Sequence, residues 1–320
     1  MEDTGRGAPL SPEGSGPQAG LKDAARKIAR VLVIVLPVAF AMAVLGRLGV
    51  LAFLDASLGP LTRPIGLPGA ALLALAASIF FDIYGAAAAA IMLSLNVREA
   101  AILSIICLTA HNLVAETRAM RRSGSPGAKM VFLRIVLGIG SGWAFSVLLP
   151  PSLASRTFGR AVSAAPDLRV DALGWAAQAG GAAARILVVV MAVMALRAIL
   201  ERLKGMEILA RILAPLMRFI GLSSDSSLFW AVANIVGYDR AADIVVGEIE
   251  GGRMKRQEGD LLNHNAAFCH SLLEDSAIFV SFGLPIFWVV VPRIALAAAV
   301  VWIERIRRHY VRRSFRAGVA

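Results

Sequence analysis

The chain has 320 residues, 58% of them hydrophobic, and its mean hydropathy of +0.70 excludes a soluble globular domain, where the apolar share is about 45–50%. Its 33 Lys and Arg against 22 Asp and Glu leave a net charge of +11, but the cations sit in short clusters between apolar segments, the pattern of cytoplasmic loops rather than of a nucleic-acid surface. Two cysteines, Cys107 and Cys269, both in apolar segments, exclude a disulfide framework and a four-ligand zinc site.

In chain order, residues 1–21 are rich in Gly, Pro, Ser and acid and read as a disordered tail. Residues 22–150 form a first unit. Residues 22–45, with Lys22, Arg26, Lys27 and Arg30 ahead of an apolar run, imitate a signal peptide, but the segment has a counterpart deep in the chain and is therefore a retained span at about 28–46. An amphipathic stretch at 48–63 suits a helix lying along the interface. A broken apolar segment at 67–95 and spans at 99–118 and 129–150 complete the unit. After a linker, 151–179, the same order returns in a second unit, 180–309, as 180–201, 203–219, 223–250, 261–282 and 285–305. A basic tail, 310–320, ends the chain.

The recurrence is residue by residue. An offset of 155 aligns Arg30 with Arg185, Arg47 with Arg202, Pro60 with Pro215, Arg63 with Arg218, and Ile65-Gly66-Leu67 with Ile220-Gly221-Leu222. An offset of 159 then aligns His111 with His270, Glu116 with Asp275 and Arg134 with Arg293. Polar matches within apolar sequence mark a duplication.

The broken segments decide topology. They carry Asp82, Tyr84 and Gly85 in one half and Asn234, Gly237, Asp239 and Arg240 in the other. If they cross, each half has four spans and the halves are parallel; if they are re-entrant, each has three and the halves are inverted. With re-entrant hairpins and a cytoplasmic N-terminus, the clusters Arg118/Arg121/Arg122/Lys129, Arg202/Lys204/Arg211/Arg218, Arg253/Lys255/Arg256 and Arg305 to Arg316 all fall inside. The eight-span arrangement puts the first two of them outside, against the positive-inside rule. The expected architecture is an all-α membrane protein of two inverted repeats. Each has three spans, an interfacial amphipathic helix and a re-entrant helical hairpin, and both termini lie on the cytoplasmic side of a bacterial inner membrane.

Charges at bilayer depth cost about 2.5–3.5 kcal/mol each on insertion scales and face a partner or a water-filled cavity. His111 and Glu116 share one span with Arg134 in the next; His270, Glu274 and Asp275 share its counterpart with Arg293 in the next. His270 and Glu274, four apart, are expected on one helical face. Two readings stand: a proton or cation relay, or arginines that neutralise the acids and lock the bundle. At the hairpin breaks, free backbone groups and helix ends are ready ligands for a small polar solute or ion. Asp82 and Tyr84 would serve one tip, and Asn234, Gly237, Tyr238, Asp239 and Arg240 the other; the competing reading is a cap that only satisfies the broken backbone. His264 reads as interfacial, with no ligand set around it.

The stretch GLSSDSSLFWAVANIVGYDRAADIVVGEIEGGRMKRQEG (221–259) and the segment HSLLEDS (270–276) resemble the nucleoside-recognition, or Gate, domain. That domain is shared by concentrative nucleoside transporters, ferrous iron permease membrane domains and spore maturation proteins. GLPGAALLALAASIFFDIYG (66–85) with HNLVAET (111–117) looks like a more diverged copy. The resemblance implies the inverted architecture and a solute site at the hairpin tips. The nucleoside carriers have N-x-F-x-G-Q-T-E-A-P at such a tip; here Arg240 stands at the glutamate position and Ala242 at the proline position. The resemblance therefore implies a secondary transporter of a small polar solute, a nucleoside or an anionic metabolite, coupled to a proton or sodium. A divalent metal permease using His111 and His270 and a non-transporting scaffold are the alternatives. No phosphate loop, nucleophile elbow or metal-spaced Cys/His cluster suggests an enzyme or a cofactor. Homo-oligomerisation is left open.

Overall fold

The structure is a computed structural model and describes residues 17–159, 168–203 and 205–317. Among these residues it is all helical apart from turns, short 3-10 segments and an isolated bridge. The first half comprises α1 (Pro17–Arg47), α2 (Val50–Thr62), α3 (Ala71–Phe81), α4 (Ile83–Met92), α5 (Val97–Ala110), α6 (Leu113–Arg122) and α7 (Gly127–Leu148). The second repeats the order with α8 (Leu168–Arg202), α9 (Gly205–Phe219), α10 (Ser227–Ile235), α11 (Tyr238–Glu250), α12 (Arg256–Ala266), α13 (Leu272–Ser281) and α14 (Ile286–Ala317).

Boundaries move relative to expectation. Helix α1 begins at Pro17 and α8 at Leu168, so both take in the last residues of segments read as tail and linker, and α14 continues through Ala317 into the stretch read as a basic tail. The remainder of the expected tail, 1–16, lies outside the described residues. Among the described residues, five helical stretches are long and apolar enough to cross a membrane: Gly20–Arg47, Val97–Arg122, Gly127–Leu148, Gly174–Arg202 and Ile286–Val311. The expected sixth, 261–282, is not among them. Its first part, α12, carries Asn263, His264 and Asn265, and the helix is interrupted before α13 begins.

The repeated Ile-Gly-Leu triplet ends the helical stretch that begins with α2 in one half and with α9 in the other. Gly66 (φ 77°) and Gly221 (φ 85°) adopt the left-handed conformation that glycine reaches without strain. Identical bonds close each turn: Leu67 N–H to Thr62 O and Gly66 N–H to Arg63 O, then Leu222 N–H to Met217 O and Gly221 N–H to Arg218 O. In the first half Asp55 on α2 accepts from the Ala70 amide at 2.7 Å. Gly69 passes so close to Leu54 O that a Cβ would lie 2.2 Å from it.

Helices α3 and α4 fold back on each other about Asp82. A Cβ on Gly85 would meet Phe81 Cβ at 3.1 Å and Ala77 O at 3.2 Å, whereas residues eight apart on a straight helix are about 12 Å apart. Helices α10 and α11 make the corresponding pair about Gly237, and both tip residues have positive φ, 97° and 126°. The buried run Ala86–Ala90 lets α4 lie close to α1 and α5. The α5–α6 stretch is central, 83% buried over its apolar window, against 22–28% for the other four candidate spans. Helices α1 and α8 pack against each other. Phe40, in the C-terminal half of α1, meets Trp175 near the start of α8 at 5.6 Å between ring centroids. Likewise Lys129, in the first turn of α7, pairs with Glu304 far along α14 at 3.0 Å.

Candidate functional site

Each half contains a second helix break that periodicity did not reveal. The expected spans 99–118 and 261–282 are interrupted at His111–Asn112 and at Ala267–Ser271, where Asn112 and Ser271, related by the 159 offset, both take φ 46°. Left-handed backbone costs roughly 1–2 kcal/mol for such residues, and the surroundings hold it identically in both copies. The Asn112 amide donates to Ser78 O at 2.9 Å, and the Ser271 amide donates to Ala233 O at 2.9 Å, tying each break to the first arm of its own hairpin. Arg134 donates to Thr109 O at 2.7 Å and His111 O at 2.6 Å. Arg293 donates to the equivalent Phe268 O at 3.1 Å and His270 O at 2.7 Å. Both arginines are fully buried. Their first task is to satisfy carbonyls that a broken helix leaves free inside an apolar bundle.

The two breaks meet. His111 and His270 stack with ring centroids 4.9 Å apart, and their Nε2 atoms are 3.2 Å apart. Each imidazole reaches the carboxylate of the other half: His270 Nε2 to Glu116 Oε1 at 3.1 Å, His111 Nε2 to Asp275 Oδ2 at 3.4 Å. His111 also lies 3.2 Å from Glu116, and Arg134 pairs with Glu116 at 2.7 Å. Arg293 makes no ion pair within 4 Å among the described residues and donates instead to Ser276 Oγ at 3.3 Å. The arrangement is thus a duplicated site with unequal copies. His270 Nδ1 faces Ala266 O, which requires a proton on Nδ1. In a neutral ring its Nε2 then accepts. His111 Nδ1, Arg134 Nη1 and Asp275 Oδ2 have no hydrogen-bond partner among the described residues.

Beside this centre a second charged group joins the first hairpin tip to α1. Arg30 pairs with Asp82 at 2.7 Å, and Asp82 caps α4 by accepting from the Ile83 amide at 2.7 Å. Lys27 donates to both oxygens of Glu274, at 3.0 and 3.2 Å, and to Tyr84 Oη at 3.2 Å; Tyr84 also donates to Glu274. Glu274 therefore does not share a helical face with His270, because the break at Ser271 turns it towards α1. Lys27 and Arg30, read only as flanking charges in the sequence, prove to be partners of three expected site residues.

The second tip divides its expected residues differently. Asn234 is buried and structural: its amide donates to Trp230 O at 2.9 Å, and its carbonyl accepts from the Leu272 amide at 3.3 Å. Tyr238 donates to Asn263 Oδ1 at 2.7 Å, with its ring 5.7 Å from His270. Gly237 has open space at its Cα. Asp239 and Arg240 are exposed, and Arg240 has no ion pair or hydrogen bond among the described residues, so the two form no mutual cap. Arg30 and Arg122 act electrostatically on Asp239, which places cations of the first half near the tip of the second. His264 is buried rather than interfacial, with Nδ1 2.6 Å from Asp260 O and Nε2 4.0 Å from Glu304.

Residues 28–123 match the family model Gate, described as nucleoside recognition. The match falls on α1–α6, the copy whose motifs are the more diverged. The membrane protein YvoD of Bacillus subtilis (strain 168), described as uncharacterized, is 23% identical over 267 residues, 82% of this chain and 86% of that protein. A solved structure of a CNTnw double variant in an outward-facing state has a TM-score of 0.58 at 18% identity, covering 85% of this chain and 74% of that one. That likeness is one of fold. The Gate resemblance expected from the motifs is thus present, and the chain is a membrane protein.

Within the Gate match lie Arg30's partner Asp82 and Lys27's partner Tyr84, together with His111 and Glu116, but not Arg134, so the centre is completed by α7 and by the second half. His111, His270 and Asp275 each offer a ligand atom within 4.8 Å of the others, a set that suits a transition metal. The two buried guanidiniums of Arg134 and Arg293 beside it oppose a divalent charge.

Proposed function

We propose that this chain is a secondary membrane transporter of the Gate type, in which the two halves are inverted repeats, the α3–α4 and α10–α11 hairpins are re-entrant, and the His111–Glu116–His270–Asp275 centre carries the coupling proton. The opposite packing sense of α7 and α14, where Lys129 at the start of α7 meets Glu304 and Phe145 near its end meets Trp288, supports inversion, because these are repeat-equivalent helices. The observation that carries the transport reading is the centre itself: titratable groups from both halves, fully buried, at breaks that both halves preserve at a conformational cost. A scaffold has no need for imidazoles facing carboxylates across the interface between its halves. Solute is held at the charged tips, with Asp82, Asp239 and the unpartnered Arg240 as contacts; Arg240 favours a solute bearing a negative group over a plain nucleoside.

The test is uptake of radiolabelled succinate and uridine into proteoliposomes under imposed proton or sodium gradients. Uptake of one of them is expected to follow the proton gradient, to vanish in Asp275→Asn and His111→Gln, and to fall in Arg240→Ala. Folded variants that transport as well as the unaltered protein sink the assignment of the centre. The second reading, a divalent cation permease, rests on the three converging ligands. Manganese or iron(II) uptake lost in His270→Ala, with succinate and uridine both inert, selects it.

A further inference from the structure

Between the α6–α7 turn, the start of α12 and the end of α14 lies an open cavity of about 430 Å³. Gly124, Pro126, Lys129, Arg256, Asp260, Glu304, Arg307 and Arg308 are among its walls. Four cations face two carboxylates there, leaving a surplus of two positive charges. The carboxylates form the base: Glu304 holds Lys129 at 3.0 Å, Arg307 at 2.7 Å and Arg308 at 2.8 Å, while Asp260 holds Arg308 and accepts from Ser125. This lattice fixes the cations in place without neutralising them. Arg256 is exposed and has no ion pair or hydrogen bond among the described residues. It opens α12 at the edge of the cavity. Basic pockets beside the ends of membrane helices suit lipid head groups, and the volume lies within the range of small-ligand sites, about 300–1,000 Å³.

We infer that this cavity is a binding site for a phosphate-bearing anion, held by Arg256 and Arg307, with Lys129 and Arg308 pre-positioned by Glu304 and Asp260. The phosphate belongs either to an anionic phospholipid of the surrounding leaflet or to a soluble phosphate compound. Neither the hairpin tips nor the histidine centre takes part, so this site stands or falls apart from the transport assignment.

Purified full-length protein in detergent micelles is titrated with phosphatidylglycerol, phosphatidylcholine, inorganic phosphate and glycerol phosphate, and binding is read by native mass spectrometry and by the shift in melting temperature. Arg256→Gln with Arg307→Gln is compared with Arg211→Gln, an exposed change on α9 outside the cavity. Expected is binding of phosphatidylglycerol that exceeds phosphatidylcholine and weakens about tenfold or more in the double variant, with Arg211→Gln unchanged. A shift reproduced by inorganic or glycerol phosphate, and lost in the same double variant, assigns the site to a soluble anion. Arg256→Gln alone breaks no ion pair, so it retains the melting temperature of the lipid-free protein and reports binding even if the double variant unfolds. Equal phosphatidylglycerol binding by unaltered protein, Arg256→Gln and the double variant, or no response to any phosphate species, overturns the proposal.

Discussion

Replacing Arg134 by methionine removes the cation of the first half's break while keeping its apolar stem. The guanidinium is fully buried, pairs with Glu116 at 2.7 Å and donates to Thr109 O and His111 O at 2.7 and 2.6 Å. Stranding a buried carboxylate costs about 3–5 kcal/mol, and each freed buried carbonyl adds about 1–3 kcal/mol. The two histidines still facing Glu116 offset part of this, so a loss of about 5 kcal/mol is expected. Arg293→Met breaks the same two carbonyl bonds and one to Ser276 but strands no paired acid, and should cost about 3 kcal/mol. Reversible unfolding in mixed detergent, followed by tryptophan fluorescence, measures both. Adding Glu116→Gln to Arg134→Met should recover part of the loss, with a coupling of about 1.5 kcal/mol or more. A cost for Arg134→Met below about 1 kcal/mol, or one no larger than that of Arg293→Met, refutes the account of this arginine as both carbonyl cap and counter-ion.

Cysteines placed at Phe40 and Trp175 should cross-link efficiently under mild oxidation, since their rings are in contact; absence of a cross-link in folded protein would show that α1 and α8 do not meet at this point. Gly69→Ala forces a methyl group onto Leu54 O and should lower stability by about 1–3 kcal/mol, whereas Gly140→Ala, with open space at its Cα, should leave the melting temperature nearly unchanged. Lys27→Ala should release Tyr84 and Glu274, seen as faster deuterium exchange in α13 and at the start of α4; unchanged exchange there would mean that α1 does not brace the first tip.

Several features were legible because they recur or because they break a pattern. Membrane residence follows from apolar length, and duplication from polar residues matched at fixed offsets. The hairpin breaks were readable because Asp82 and Gly237 interrupt apolar runs. The six residues His111, Glu116, Arg134, His270, Asp275 and Arg293 were identifiable as a set because charge inside apolar sequence needs a partner.

Which partner each one takes was not readable. The breaks at Asn112 and Ser271 carry no Gly or Pro, so nothing local announces a left-handed residue. They exist because an amide finds a hairpin carbonyl and an arginine from the next helix caps what is left. Those breaks swing Glu274 away from His270 and towards Lys27, and bring the two imidazoles into contact across the halves. His264, Asp260 and Glu304 come together only because α12 and α14 pack side by side. Apolar periodicity is a property of one segment and is written in the chain; the pairing of buried charges depends on which segments meet, and only the tertiary structure decides that.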